Sequence, residues 1–247
     1  MKLQEIFDQL TYGELSQIVL GGADEGKIDE SNYPKLLAHI NLGLTALYKR
    51  FNLKESSVIV ELQSGVTMYR IHSDYAKGNR RARGTQYILD SFSEPFLDDI
   101  IKIRQIWTEK GVELDLNNSY APFSILTPQV NVITVPLKMV DGSLDQDNPY
   151  YTKTIQLVYQ ADHPNITVGQ GNFNPERVEV ELPYTLLEPL LFFVASRIFN
   201  PIGLTNEFHT GNNYAAKYEA ACQQIEMQGL KVDTAGQDNR LARKGFV

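Results

Sequence analysis

Two changes of hydrophobic period, followed by a loss of period, predict an α+β fold: a helical domain built from both ends of the chain, an inserted antiparallel β-rich module and an extended C-terminal arm. Up to Phe51 apolar residues recur at three and four; from Val58 they alternate; from Thr185 the spacing of three and four returns, and beyond Gly229 it vanishes. The expected division is residues 1–55 and 183–230 for the helical domain, 56–182 for the β-rich insertion and 231–247 for the arm.

Taken in order, TYGELSQIVL (11–20) opens on a capping-box pattern, Thr11 followed by Glu14, and then places Leu15, Ile18 and Val19 at helical spacing, which predicts a short first helix. GGADEGKIDESN interrupts it. Pro34 then marks a helix start, and Leu36, Leu37, Ile40, Leu44, Leu47, Tyr48 and Phe51 form one apolar stripe. VIVEL and VTMYRI flank QSG and are expected to form a hairpin of branched and aromatic residues. IIKIRQIW, KGVEL, NVITVPL, TKTIQLVYQA and RVEVEL carry the same alternation, separated by the turn-forming EKG, DGSLDQDNP and GQGNFNP. The third helix, from Thr185, is apolar on nearly every face and is expected to be enclosed by others, with Asn200 and Pro201 stopping it. A last helix over residues 213–228 sets Tyr214, Tyr218, Ala221, Cys222 and Ile225 on one stripe, and Gly229 terminates it.

At 247 residues and 43% hydrophobic content, the chain is long enough for one large core or two modest ones. The single cysteine, Cys222, leaves no internal disulfide and fits a reducing compartment. The opening MKLQEIFDQLTYGEL is amphipathic and acidic where a secretory signal would carry an uninterrupted apolar run, so none is expected there. The longest apolar stretch, LLEPLLFFVASRIF, is broken by Glu188, Pro189 and Arg197 and is shorter than the roughly 20 residues that cross a bilayer. A soluble protein is expected. A net charge of −7 argues against wrapping nucleic acid by phosphate neutralisation, although a local basic loop could touch a backbone.

The sequence carries no catalytic or metal-binding motif at the required spacing, and neither an enzyme nor a cofactor is expected. His39, His72, His163 and His209 stand far apart and outside any zinc-binding spacing. Asp141, Ser143, Asp145 and Asp147 alternate as in a calcium loop, but Gln146 and Thr152 occupy the positions where such a loop needs glycine and glutamate. GQGNFN lacks the third glycine of a dinucleotide fingerprint and precedes Pro175 instead of a helix. Cys222 reads as a buried small hydrophobe, since no histidine is near it in sequence.

Two basic segments stand out on this acidic chain. KGNRRARGTQ places Lys77, Arg80, Arg81 and Arg83 between two glycines, as an exposed loop or as a contact for nucleic-acid phosphate or an acidic neighbouring subunit. QDNRLARKGFV weaves Arg240, Arg243 and Lys244 around Leu241, Phe246 and Val247. Many termini fray, yet these apolar residues are poor choices for a segment that stays in water. With too little apolar surface to offset the entropy of fixing its backbone, the arm is expected to need a partner to become ordered.

The layout and several phrases resemble the head-to-tail adaptor (connector) proteins of tailed bacteriophages, particularly the tubular-tail adaptors of short-tailed phages. The phrases are LTYGELSQIV, YPKLLAHINLGLTALYKRF, IIKIRQIWTEKGVELDLN, TPQVNVITVP, IQLVYQADHP, LPYTLLEPLLFFVASRIF and NNYAAKYEAACQQIEMQGL, in that order along most of the chain. The resemblance implies a virion protein of the neck between capsid and tail, assembled in the host cytoplasm. It would form a ring, commonly of twelve copies, beneath the portal, continue the DNA channel and provide a platform for tail or nozzle proteins. It also implies an arm along the portal surface. On this sequence that arm is residues 232–247, with Leu241 and Phe246 entering apolar pockets and Arg240, Arg243 and Lys244 meeting portal carboxylates. An acidic channel wall would repel the phosphates of passing genome DNA and let it slide. The loop 77–83 corresponds to no fixed motif of that family. A nucleic-acid-binding module using the β surface and the loop Arg80, Arg81 and Arg83 is the alternative reading, and it predicts an affinity that falls steeply with salt.

Overall fold

A computed structural model describes residues 1–16, 28–79, 84–91, 93–168, 173–199 and 205–229. The chain is α+β and divides into two compact units. One takes in Met1–Leu53 and the chain from His163 through the last helix; the other takes in Lys54–Asp162.

The helical unit contains α1 (Leu3–Tyr12), α2 (Tyr33–Arg50), α3 (Leu187–Phe199) and α4 (Thr205–Met227). The first helix begins and ends earlier than its capping-box pattern predicts. Leu3, Ile6, Phe7 and Leu10 fall on one face and are all buried, whereas Thr11 lies in the last turn. Burying four such side chains, at about 1.5–3 kcal/mol each, outweighs a cap contributing about 1 kcal/mol. Gly13 ends α1, its amide donating to the Gln9 carbonyl at 2.9 Å. Of the expected first-helix residues, Leu15 is buried and 17–20 lie outside the described residues.

α2 follows its sequence pattern closely, with Pro34 in the first turn and Leu36, Leu37, Ile40, Leu44, Leu47 and Tyr48 buried. α3 packs on it where Gly43 lets the backbones approach: a Cβ there would stand 2.6 Å from Leu190 Cδ1. α3 is half enclosed, with Leu190, Leu191, Val194 and Ala195 buried and Phe192 and Phe193 partly exposed. α4 covers part of that remaining face through Phe193 against Tyr218 and Phe199 against Tyr214, with ring centroids 5.3 and 5.5 Å apart. It starts earlier than residue 213 and ends before Gly229, whose φ of 68° is left-handed.

RVEVEL, expected to be a strand of the β module, belongs to the helical unit and forms no regular strand. It runs beside the first residues of the chain: the Met1 ammonium donates to the Val180 carbonyl, the Leu3 amide to Val178, and Lys2 and Glu179 form an isolated bridge. Its alternation is real, since Val180 and Leu182 are buried in the helical core while Glu179 and Glu181 face outward. A partner of three residues is too short to extend the ladder. Two side chains of α2 tie this part of the chain down: Asn41 makes paired bonds to the Ile166 backbone at 2.9 and 3.0 Å, and the buried Tyr48 donates its hydroxyl to the Glu181 carbonyl.

The β unit contains β1 (Glu55–Glu61), β2 (Met68–Arg70), β3 (Ile88–Leu89), β4 (Ile100–Thr108), β5 (Glu113–Leu114), β6 (Leu126–Gln129), β7 (Val132–Thr134) and β8 (Thr154–Ala161). They form a five-stranded antiparallel sheet, β3-β1-β8-β4-β5, and a three-stranded one, β2-β7-β6. The expected hairpin of VIVEL and VTMYRI is therefore not formed. β1 pairs along its whole length with the distant β8, which sets Val58 and Val60 opposite Leu157 and Ile155 on the buried face, while β2 pairs with β7. Between them Gly65 turns at φ 75°, and the Gln63 amide donates to the Tyr69 hydroxyl at 2.7 Å, a side chain taking the place of a ladder bond. Residues of both sheets share one core, with Tyr69, Ile106, Ile133, Ile155 and Leu157 near complete burial.

Candidate functional site

Of the basic and apolar contact candidates, Lys77 alone lies among the described residues. Lys77 is exposed and paired, its Nζ 2.7 Å from Glu61 Oε2, while Arg80, Arg81 and Arg83 lie outside the described residues. So do Arg240, Leu241, Arg243, Lys244, Phe246 and Val247. Cys222 is fully buried in the helical core, and that burial pushes its thiol up. His163 is buried under α2, its Nε2 accepting from the Glu181 amide and its ring edge-on to Tyr48. The Asp141 carboxylate accepts from the Ser143 amide at 2.8 Å, as a solvated turn does. Among the described residues no group of His, Cys, Asp and Glu is arranged to hold a metal ion.

A concavity of the β unit, which no motif announces, follows from how β3 stops. Antiparallel pairing turns alternate residues of β1 toward β8 and away from it. The Glu61 amide, which donates to the Tyr87 carbonyl, identifies the odd-numbered residues as those facing away. β3 pairs only with Ile59 and Val60, so the backbone of Ser57 points past the end of β3 along an edge that no described strand covers. Opposite it stands the connection from Asp90 to Leu97, leaving a groove of about 650 Å³.

Asp90 holds that connection in place. One carboxylate oxygen accepts from the Gly78 amide at 2.6 Å and the other from the Phe96 amide at 3.0 Å. Ser91 Oγ accepts from the Glu94 amide at 3.0 Å. Pro95, Phe96 and the exposed Leu97 supply the apolar wall, and among the described residues lining the groove the charged ones are Asp90, Glu94 and Asp99. Tyr159 closes the floor, donating to Asp99 at 2.9 Å. Burial and then the Asp99 charge push its phenol far above its ordinary value, so it stays protonated. A protonated phenol, engaged carboxylates and hydroxyls without a base offer recognition by charge, edge hydrogen bonds and apolar contact. They offer no activated nucleophile.

The outward face of the five-stranded sheet continues from this groove. Register places Leu89, Ile59, Gln156 and Trp107 in one row across β3, β1, β8 and β4, with a shallow depression of about 480 Å³ beside Trp107, Thr154 and Val158. No protein-family model matches the chain, and no curated protein matches its sequence.

Proposed function

We propose that this chain is a virion structural protein, a head-to-tail adaptor that assembles as a ring beneath a portal, continues the DNA channel and carries tail proteins. It works by association and catalyses nothing. The observation that carries this reading is the interrupted helical unit: α1 and α2 meet α3 and α4 in one core, and the β unit is inserted between them. This is the layout that the ordered phrases of the sequence imply. Further support comes from chemistry suited to contact, namely the groove beside β1 and the Ile59–Trp107 row. A net charge of −7 suits a channel through which DNA slides without being gripped. Among the described residues no helix is long and apolar enough to cross a membrane.

In this reading the arm of residues 232–247 meets the portal, with Leu241, Phe246 and Val247 as apolar anchors and Arg240, Arg243 and Lys244 as partners for carboxylates. Mass measurement with and without a portal ring tests it. A ring, or a stoichiometric complex with portal, is expected, and a monomer that ignores portal overturns the adaptor. Removing residues 234–247 is expected to leave the fold intact and abolish portal docking; unchanged docking removes the arm from the mechanism. Replacing Arg80, Arg81 and Arg83 by alanine tests the nucleic-acid alternative, which requires a DNA affinity that falls with salt and with those substitutions.

A further inference from the structure

The groove beside β1 presents a strand edge, an apolar wall and carboxylates in one place. An extended peptide laid along Ser57 would continue the line of β3 antiparallel to β1, using main-chain bonds for affinity and alternate side chains for selection. Phe96 and Leu97 offer contact to an apolar side chain, and Asp90, Glu94 and Asp99 favour a cationic one. The groove thus selects a basic, extended segment with an apolar residue. Residues 239–247, NRLARKGFV, meet each requirement: three cations, no acid, and Leu241, Phe246 and Val247, over about 30 Å when extended.

The other basic segment, 80–83, follows Gly78, whose amide donates to the groove carboxylate Asp90 at 2.6 Å. Its sequence, RRAR, carries no large apolar side chain for the wall at Phe96 and Leu97, so it meets the charge requirement alone.

We propose that the strip of residues 239–247 docks in this groove, added as a strand to the open half of β1, with Phe246 against Leu97 and the cations over Asp90, Glu94 and Asp99. The groove is then the surface from which the strip is drawn when a better partner arrives. The docking itself does not rest on the adaptor reading and is tested without portal, so either can fail alone.

The test uses the full chain as Leu97→Cys/Phe246→Cys, with Tyr120→Cys/Phe246→Cys as control. Leu97 and Tyr120 are both exposed in the β unit, only Leu97 lines the groove, and the native Cys222 is buried. Under mild oxidation the first pair is expected to form its disulfide at least about tenfold faster than the control, since docking raises the effective concentration of the two thiols. A synthetic peptide of residues 237–247 should slow that reaction, and the same peptide with Arg240, Arg243 and Lys244 replaced by glutamate should not. Gel mobility reports whether the strip comes from the same copy or another, and either supports the proposal. Equal rates for the two pairs, or equal effects of the two peptides, overturn it.

Discussion

Arg50 grips Glu219 with both terminal nitrogens, at 2.6 and 2.8 Å, and so ties the end of α2 to the middle of α4. Glu226, about two turns further along the same face of α4, closes on Nε at 3.0 Å. Bidentate geometry and a guanidinium only 22% exposed set this network apart from an ordinary surface pair. Arg50→Gln is expected to lower the stability of the helical unit by about 1 kcal/mol at neutral pH after allowance for solvent screening. Urea unfolding followed by the helical circular-dichroism signal measures it, while Trp107 fluorescence, which reports the β unit, should stay unchanged.

His39 and Glu219 are expected to make that unit acid-sensitive. Hydrogen bonds from Arg50 hold the Glu219 carboxyl below its usual range, and burial, then the Arg197 charge, holds His39 below the ordinary imidazole value. Both folded-state values are depressed, so both contributions are present above the unfolded-state values and are lost as pH falls through the folded ones. The His39 contribution begins to decline at mildly acidic pH and that of Glu219 only near the carboxylate range. His39→Gln is expected to remove the first decline and leave the second, and Arg50→Gln to weaken the second, in unfolding midpoints measured across acidic pH.

Gly43→Ala sets two effects against each other. A helix interior gains roughly 1 kcal/mol from alanine over glycine. The new methyl, however, would stand 2.6 Å from Leu190 Cδ1 and 3.0 Å from Phe193 Cδ1, and Leu190 is fully buried and cannot swing into water. Overpacking of this kind costs about 1–3 kcal/mol, so a net loss in melting temperature is expected. Phe193→Ala in the Gly43→Ala background should return part of it.

Cys222 is expected to be inert to thiol reagents in the folded protein. Its burial, and a thiol held above its ordinary value, leave little thiolate to react. Alkylation should therefore follow unfolding of the helical unit, rising with urea in step with the loss of helix. Rapid labelling in buffer would show that α4 lifts readily from α3.

Sequence periodicity located α2 well because Leu36, Leu37, Ile40, Leu44 and Leu47 share one stripe and enter one core. α1 was displaced because a local capping pattern at Thr11 and Glu14 competes weakly with burial of Leu3, Ile6, Phe7 and Leu10. Local reasoning also failed for the hairpin, since alternation says which face of a strand is buried and not which strand it pairs with. β1 found its partner about a hundred residues away, where Leu157 and Ile155 match Val58 and Val60. RVEVEL alternates inward and outward as expected, but the chain that runs beside it among the described residues is the short Met1–Leu3. The groove was illegible for a related reason: nothing local in residues 91–99 says which strand edge they will face. Of the basic residues singled out in the sequence, Lys77 is neutralised by Glu61, and the others fall outside the described residues.

The Lys54 carbonyl accepts from the Ala161 amide at 3.0 Å, so the chain enters and leaves the β unit through adjoining strands. A module whose two ends meet at a single doorway can be cut out and replaced by a short linker, or exchanged for another, without asking the helices to unlearn their packing. Natural variation in such a chain would then concentrate inside the doorway, with one frame of helices displaying many different inserts.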